Sequence, residues 1–292
     1  MFRVKQFITL YIAMGKTITI CNQKGGTGKT TTAINIATCL ALSQHKVLLI
    51  DLDPQANATS GLGINKHDIQ KSTYHILLEE LNVDQILQPT LVSNLWLAPS
   101  NLDLTGVEIE LVSGLAREYR LKKALESQKD HFDFIIIDSP PSLGLLTING
   151  LCAADSVLIP VQCEYYALEG LTQLLNTITL VKNNLNPALE IEGVLLTMAD
   201  FRTNLTKEII QEARNYFKDK VYATVIPRNI RITEAPSFGK PIAIYDKDSI
   251  GAKKYEELNQ EILGLPRVNL VDIETEALEQ SKETNDGEKG IG

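Results

Sequence analysis

A glycine-rich loop between a short apolar strand and a helical segment constrains this chain more than any other feature. The strand is predicted at residues 17–21, and residues 22–32 then read Asn-Gln-Lys-Gly-Gly-Thr-Gly-Lys-Thr-Thr-Thr. Glycines lack a Cβ atom, so successive backbone N–H groups of such a loop can point at a polyphosphate. The helix that follows adds the positive end of its dipole. The pattern therefore predicts a phosphate-binding loop.

The side chains of this loop have distinct predicted roles. Lys29 is placed to reach the β- and γ-phosphates of a nucleotide, and the Thr30 hydroxyl is placed to bind Mg²⁺. The first glycine of the usual phosphate-loop pattern is replaced by Gln23, so the plain pattern fails while its physical requirements are still met. The other predicted nucleotide contacts in the loop are Lys24, Gly25, Gly26, Thr27, Gly28 and Thr31.

Three acidic residues follow predicted strands. Asp51 and Asp53 are two positions apart on an emerging strand, so they project to the same side of it. Asp138 ends the apolar strand predicted at 134–138, which is typical of a carboxylate that holds Mg²⁺ through water. Because ligands bind at the carboxyl ends of parallel strands, all three acids are expected near the phosphate loop.

Apolar, β-branched runs alternate with helical patterns between residues 17 and 263. Several runs are apolar throughout, as expected for parallel strands covered on both faces. This alternation predicts an α/β fold with a doubly wound, mostly parallel sheet flanked by helices, and the phosphate loop makes it one of the P-loop NTPase type. Strands are predicted at 17–21, 47–51, 94–98, 134–138, 157–161, 193–197 and 222–226, and helices at 29–43, 114–129, 168–184 and 204–219.

The loop sequence resembles the deviant Walker A motif of the ParA/MinD family of P-loop ATPases, and residues 22–35 look like its ParA (Soj) branch. In that family, the lysine matching Lys24 reaches across an ATP-sandwich dimer to the partner's nucleotide. The resemblance also implies that Asp53 positions the attacking water and that Asp51 supports the metal shell. The implied catalytic residues are Lys24, Lys29 and Asp53, and the implied magnesium site consists of Thr30, Asp51 and Asp138.

Residues 225–241 are similar to a late motif of partitioning ParA proteins, which implies that Pro227 and Asn229 contact adenine. Arginines at the positions of Arg202 and Arg231 contact DNA on the family's dimer. Residues 201–254 hold eleven basic and six acidic residues, in a chain whose net charge is −8. No base-reading motif is present, so the expected DNA contact is independent of sequence. Further candidates, which without the resemblance would be ordinary surface charges, are Lys207, Arg214, Lys218 and Lys240.

The resemblance implies a cytoplasmic, nucleoid-associated, Mg²⁺-dependent ATPase that forms a homodimer around ATP and segregates chromosome or plasmid DNA. Its hydrolysis is implied to be slow alone and stimulated by a ParB-type centromere-binding protein. Three alternatives remain: a MinD-like membrane-positioning ATPase, an iron–sulfur or reductase protein on the same scaffold, and an ATPase that positions a protein cargo. The acidic C-terminal segment opposes a membrane partner, and four isolated cysteines oppose an iron–sulfur site.

The two ends of the chain differ in composition from the middle. Residues 17–266 are predicted to form one ATPase domain, and residues 1–16 a non-essential arm, unless translation starts at Met14. Positive residues before the short apolar run 7–14 superficially resemble a signal peptide, but no cleavage pattern follows. Residues 267–292 hold seven acidic residues, three basic residues and no aromatic residue, which predicts a disordered, solvated tail.

Overall fold

The computed structural model describes residues 15–165 and 170–265. The predictions for residues 1–14 and for the tail at 267–292 lie outside these residues, whereas Lys16, predicted in the arm, begins the first strand. Within the described residues, eight strands form one sheet. They are β1 (Lys16–Ile20), β2 (Val47–Asp51), β3 (Gln88–Pro89), β4 (Leu95–Ala98), β5 (Phe134–Asp138), β6 (Ser156–Gln162), β7 (Glu190–Ala199) and β8 (Val221–Pro227).

The strand order brings the carboxyl ends of separate sequence segments together. The order is β3-β4-β2-β5-β1-β6-β7-β8, and every neighbouring pair is parallel except β3 with β4. Asp138 at the end of β5 lies in register with Asp51 of β2 on one side and with Ile20 of β1 on the other. The phosphate loop and two of the predicted acids therefore leave the sheet at adjacent positions.

Helices cover both faces of the sheet, which confirms the predicted doubly wound architecture. In β2, Val47 and Leu49 pack into one core cluster, while Leu48 and Ile50 pack into the cluster on the opposite face. All four side chains are fully buried, as expected for a central parallel strand. The helices are α1 (Lys29–Leu42), α2 (Asn57–Gly61), α3 (Thr73–Leu77), α4 (Val107–Glu110), α5 (Arg120–Leu125), α6 (Leu145–Ala153), α7 (Leu171–Asn184), α8 (Asn204–Phe217), α9 (Ile230–Glu234), α10 (Ile242–Tyr245) and α11 (Ile250–Ile262).

The helix predicted at 114–129 is wrong at both ends. Ala116 has φ +50°, in the left-handed region that an α-helix cannot contain, and a 3₁₀ turn at 117–119 separates it from α5. The prediction also omitted α6 and α11. Helix α6 is buried around most of its circumference, so its sequence lacks the polar stripe that marks a surface helix. Among the described residues, no helix is long and apolar enough to cross a membrane.

A carboxylate from α11 covers the edge of the sheet. Strand β8 is the last strand, so its outer N–H groups have no neighbouring strand to pair with. Glu261 accepts hydrogen bonds from the backbone N–H groups of Ala223, at 2.9 Å, and Thr224, at 2.8 Å, and from the Thr224 hydroxyl. The side chain thus replaces the missing strand and fixes α11 against β8.

Replacing Glu261 should destabilise the fold at this edge. We expect Glu261→Ala to lower the free energy of unfolding by about 2 kcal/mol, because three donors lose a charged acceptor. Urea unfolding of the nucleotide-free protein measures the change. Glu256→Ala, at an exposed position of the same helix, is the control and should cost less than about 0.5 kcal/mol. Equal losses for the two variants would contradict the assigned role of Glu261.

Candidate functional site

The phosphate loop curves around an open space between β1 and α1. Gly26 and Gly28 have φ values of +77° and +85°, in the left-handed region that favours glycine. A Cβ atom built on Gly25 or Gly26 would meet no other atom within 4 Å. The concave side of the loop therefore has room for phosphate oxygens, and α1 begins directly behind it at Lys29.

Two neighbouring strands hold the loop in this shape. The Asn22 side-chain amide donates to the carbonyl oxygen of Pro160 in β6, at 2.7 Å, and accepts from the backbone N–H of Lys24, at 3.0 Å. On the other side, the hydroxyl of Thr197 in β7 donates to the carbonyl oxygen of Thr27, at 2.9 Å. None of these three hydrogen bonds uses the backbone N–H groups of residues 25–28.

Lys29 lies buried beneath the loop. Its ammonium donates to the carbonyl oxygen of Lys24, at 3.1 Å, and its residue surface is 7% exposed. Burial lowers the pKa of Lys29, and the negative charges of Asp138 and Asp53 partly oppose that change. Lys29 is thus a desolvated cation held against the glycine loop and within the electrostatic influence of two carboxylates, where it can bind a phosphate oxygen.

Asp51 is buried and fully engaged in hydrogen bonds. One carboxylate oxygen accepts from the backbone N–H and the hydroxyl of Thr59, at 2.8 and 2.7 Å, and the other accepts from the N–H of Asp53, at 3.1 Å. Burial raises the pKa of Asp51, while the hydrogen bonds from Thr59 oppose that rise. Asp51 therefore fixes the segment between β2 and α2, which is compatible with the predicted supporting role at the metal.

Asp138 is the one predicted acid whose carboxylate oxygens are both buried without a hydrogen-bond partner among the described residues. Burial, followed by the negative charge of Asp51, raises the pKa of Asp138 well above its usual range, whereas Thr30 and Lys29 oppose the rise. A buried carboxylate without donors is costly, because its hydration has been lost without replacement. A hydrated Mg²⁺ held by Thr30 and Asp138 would supply hydrogen-bond donors to this carboxylate, so these residues fit the predicted metal.

Asp53 occupies a tight turn that follows β2. Its side chain accepts from the N–H of Gln55, at 2.9 Å, and its carbonyl oxygen accepts from the N–H of Ala56, also at 2.9 Å. Ala56 has φ +54°, a conformation that residues other than glycine adopt infrequently. Asp53 is only 7% exposed and lies close enough to Lys29 to affect its pKa.

A cavity of about 470 Å³ opens beside the loop, and its size suits a nucleoside. The predicted base contacts Pro227 and Asn229 both line it, and Asn229 also caps α9 by accepting from the N–H of Ile232. The cavity residues from β7, Thr197 and Met198, were not predicted, because no sequence motif marks them. The full lining consists of Gly28, Thr31, Thr197, Met198, Ile226, Pro227, Arg228, Asn229, Ile232, Thr233, Pro236 and Tyr255.

The predicted DNA-contacting arginines lie outside this cavity, and each is paired with an acid of the same chain. Arg202 is 88% exposed at its side chain and donates to both carboxylate oxygens of Asp200, at 2.8 and 2.6 Å. Arg231 lies 3.1 Å from Glu234 and 3.4 Å from Asp246.

Lys24 is also paired within the chain. Its ammonium lies 3.7 Å from a carboxylate oxygen of Glu164, and its side chain is about half exposed, at 48%. The same Glu164 carboxylate lies 3.6 Å from Arg228. The loop lysine predicted to act on a second subunit is therefore paired with an acid of its own subunit.

Comparisons with known proteins identify relatives of this chain. A family model described as an AAA domain matches residues 15–191. The sporulation initiation inhibitor protein Soj of Bacillus subtilis (strain 168) is 60% identical over 249 residues, which cover 85% of this chain and 98% of that protein. The chromosome partitioning protein ParA of Myxococcus xanthus (strain DK1622) is 53% identical over 253 residues, or 87% of this chain and 89% of that protein.

A solved structure shows the same fold around a nucleotide. Cobyrinic acid a,c-diamide synthase from Mycobacterium smegmatis, crystallised with bound ADP and magnesium, is 37% identical to this chain with a TM-score of 0.76. The matched region covers 86% of this chain and 94% of that chain.

Two glycine substitutions should show that the left-handed backbone at Gly28, and not the added methyl group, determines the cost of losing a loop glycine. We expect Gly28→Ala to lower the stability of the nucleotide-free protein by about 1 kcal/mol, because alanine is strained at φ +85°. Gly25→Ala is the matched control, since residue 25 lies outside the left-handed region and its new methyl group meets no atom. Thermal unfolding without nucleotide should show a lower midpoint for Gly28→Ala alone. A comparable loss in both variants would contradict this account of the loop.

Proposed function

Because this chain belongs to the ParA/Soj family of P-loop partitioning ATPases, we propose that it is a Mg²⁺-dependent ATPase that dimerises around ATP. In this proposal the dimer binds nucleoid DNA without sequence preference and segregates chromosome or plasmid DNA with a ParB-type partner. The ATPase domain is residues 17–266. The single observation that best supports the proposal is the buried Asp138 carboxylate, whose oxygens have no hydrogen-bond partner within 3.5 Å among the described residues and which feels the charges of Lys29 and Asp51 and the nearby Thr30 hydroxyl.

Each part of the nucleotide has a matching part of the site. The N–H groups of the glycine loop and the ammonium of Lys29 bind the β- and γ-phosphates. Adenine occupies the cavity between Pro227 and Asn229. Thr30 and Asp138 would hold the magnesium ion, which would supply positive charge to the phosphate oxygens.

Hydrolysis requires a water molecule held in line with the γ-phosphorus. Asp53 is suited to orient that water, because its turn is fixed by Gln55 and its carboxylate lies near Lys29. Lys24 of the second subunit supplies positive charge to the transferred phosphoryl group. In a single chain Lys24 lies beside Glu164 instead, which accounts for slow hydrolysis until dimerisation and partner binding complete the site.

Two substitutions should have opposite effects on ATP-dependent dimerisation. We expect Asp53→Ala to remain dimeric with ATP and Mg²⁺, because loss of the water-orienting carboxylate slows hydrolysis by about a hundredfold or more. Lys29→Ala should remain monomeric, because the phosphates lose their buried cation. Light scattering on a size-exclusion column, with and without ATP, measures both results.

Asp68→Ala is a suitable control for these variants, since Asp68 is exposed and lies only fifteen positions beyond Asp53 in the chain. It should dimerise transiently, like the unmodified protein. An Asp53→Ala protein that stays monomeric with ATP and Mg²⁺ would contradict the sandwich dimer.

DNA binding should depend on Arg231. In the proposed complex, the Arg231 guanidinium leaves the carboxylates of Glu234 and Asp246 and binds a DNA phosphate. The substitution Arg231→Glu removes this cation and places a third carboxylate beside the other two. We expect the ATP-bound variant to bind non-specific DNA at least about tenfold more weakly, with a smaller slope of log affinity against log salt. Filter binding at several salt concentrations measures both quantities.

Lys123→Glu provides the matched charge reversal. Lys123 is exposed on α5, which packs on the opposite face of the sheet from the core cluster that contacts Ile232. The DNA affinity of the Lys123→Glu variant should remain near that of the unmodified protein. Equal weakening by both substitutions would indicate a general charge effect and would contradict a DNA contact at Arg231.

A further inference from the structure

Residues 102–116 form a surface segment that we call the apolar ledge. Four of its large apolar side chains are more than 60% exposed: Leu102 at 61%, Ile109 at 77%, Val112 at 65% and Leu115 at 88%. Scattered exposed apolar residues are ordinary, but a concentration of them marks an interaction site. The ledge therefore presents surface that is suited to a partner.

The ledge is anchored to the protein core from beneath. Leu104, Val107 and Leu111 are buried in the core cluster that also contains Leu48 and Ile50 of β2. The exposed side chains thus project from a segment whose other side is already packed. Ile109 and Val112 are therefore exposed although the segment that carries them is already packed against the core.

The charge of the ledge is uniformly negative. It contains three acidic residues, Asp103, Glu108 and Glu110, and no basic residue. Of the basic residues that follow it, Arg117 pairs with Glu118, and Arg120 and Lys123 pair with Glu79. The Arg117 and Arg120 side chains also donate to the carbonyl oxygens of Val112 and Leu115. The side-chain charges within the ledge are all negative, and the cations lie beyond its C-terminal end.

A hydrogen bond connects the ledge to the magnesium side of the site. The Glu108 carboxylate accepts from the backbone N–H of Leu145, at 2.9 Å. Leu145 is the first residue of α6, and only residues 139–144 separate it from Asp138 at the end of β5. The ledge itself therefore contacts the start of the helix that follows the segment leading from the buried carboxylate.

We propose that the apolar ledge is the docking surface for a basic amphipathic segment of the protein that stimulates hydrolysis. Apolar side chains of that segment pack on Ile109, Val112 and Leu115, and its lysines or arginines pair with Asp103 and Glu110. The inference rests on the proposed function, since it assigns a binding surface to the partner of that function. A second copy of this chain is the less favourable occupant, because two ledges face to face would bring six carboxylates together.

The test removes the apolar contact without disturbing the core. We expect the triple variant Ile109→Ser, Val112→Ser, Leu115→Ser to need at least about tenfold more ParB-type protein for half-maximal stimulation of ATP hydrolysis, as when interface anchors are truncated. Glu110→Lys should raise that concentration too, because it repels a basic segment. Basal hydrolysis and ATP-dependent dimerisation should be unchanged in both variants.

Leu180→Ser is the matched control, since Leu180 is 62% exposed on α7; its stimulation should equal that of the unmodified protein. Stimulation of the triple variant at unchanged partner concentration would overturn the ledge proposal alone. An unmodified protein that the ParB-type protein does not stimulate would overturn the partner assignment and this inference with it. Loss of ATP-dependent dimerisation in the triple variant would instead identify the ledge as a contact between copies.

Discussion

Two buried carboxylates in register on neighbouring strands are the constraint on which the rest of the site depends. Asp51 and Asp138 repel each other, and burial raises the pKa of both. The protein stabilises them differently, since Asp51 receives hydrogen bonds from its own segment, whereas Asp138 relies on the charge of Lys29 and the nearby Thr30. The loop that carries Lys29 and Thr30 therefore stabilises the negative charge of Asp138, which the neighbouring Asp51 on the sheet destabilises.

Strands β7 and β8 lead from the cavity beside the phosphate loop to the surface. Thr197 of β7 holds the carbonyl of Thr27, the next residue Met198 lines the cavity, and Arg202 follows a few positions later. In the same way, β8 leads through the cavity residue Asn229 to Arg231. The two surface arginines are thus close in sequence to groups that contact the phosphate loop or the cavity.

The cations proposed to act on another molecule share one property in the single chain. Lys24, Arg202 and Arg231 each have a carboxylate partner, and each side chain is at least about half exposed. Exposed ion pairs contribute little to stability, because water screens them and the side chains lose freedom. Such pairs can be exchanged for phosphate at little cost, which suits residues whose partners bind and dissociate.

Local patterns in the sequence were enough to predict the phosphate loop, the three acids, the parallel-sheet fold and the family, because glycines before a helix, carboxylates at strand ends and apolar runs each have a local physical meaning. The remaining features are visible only in three dimensions: which acid lacks hydrogen-bond partners, which cations are paired, and which segments from β7, β8 and α11 enclose the cavity beside the phosphate loop. The left-handed Ala116 that interrupts the predicted helix, and the exposed ledge beside it, were likewise not predicted. Hydrogen-bond partners and burial depend on residues far apart in the chain, and no local pattern records them.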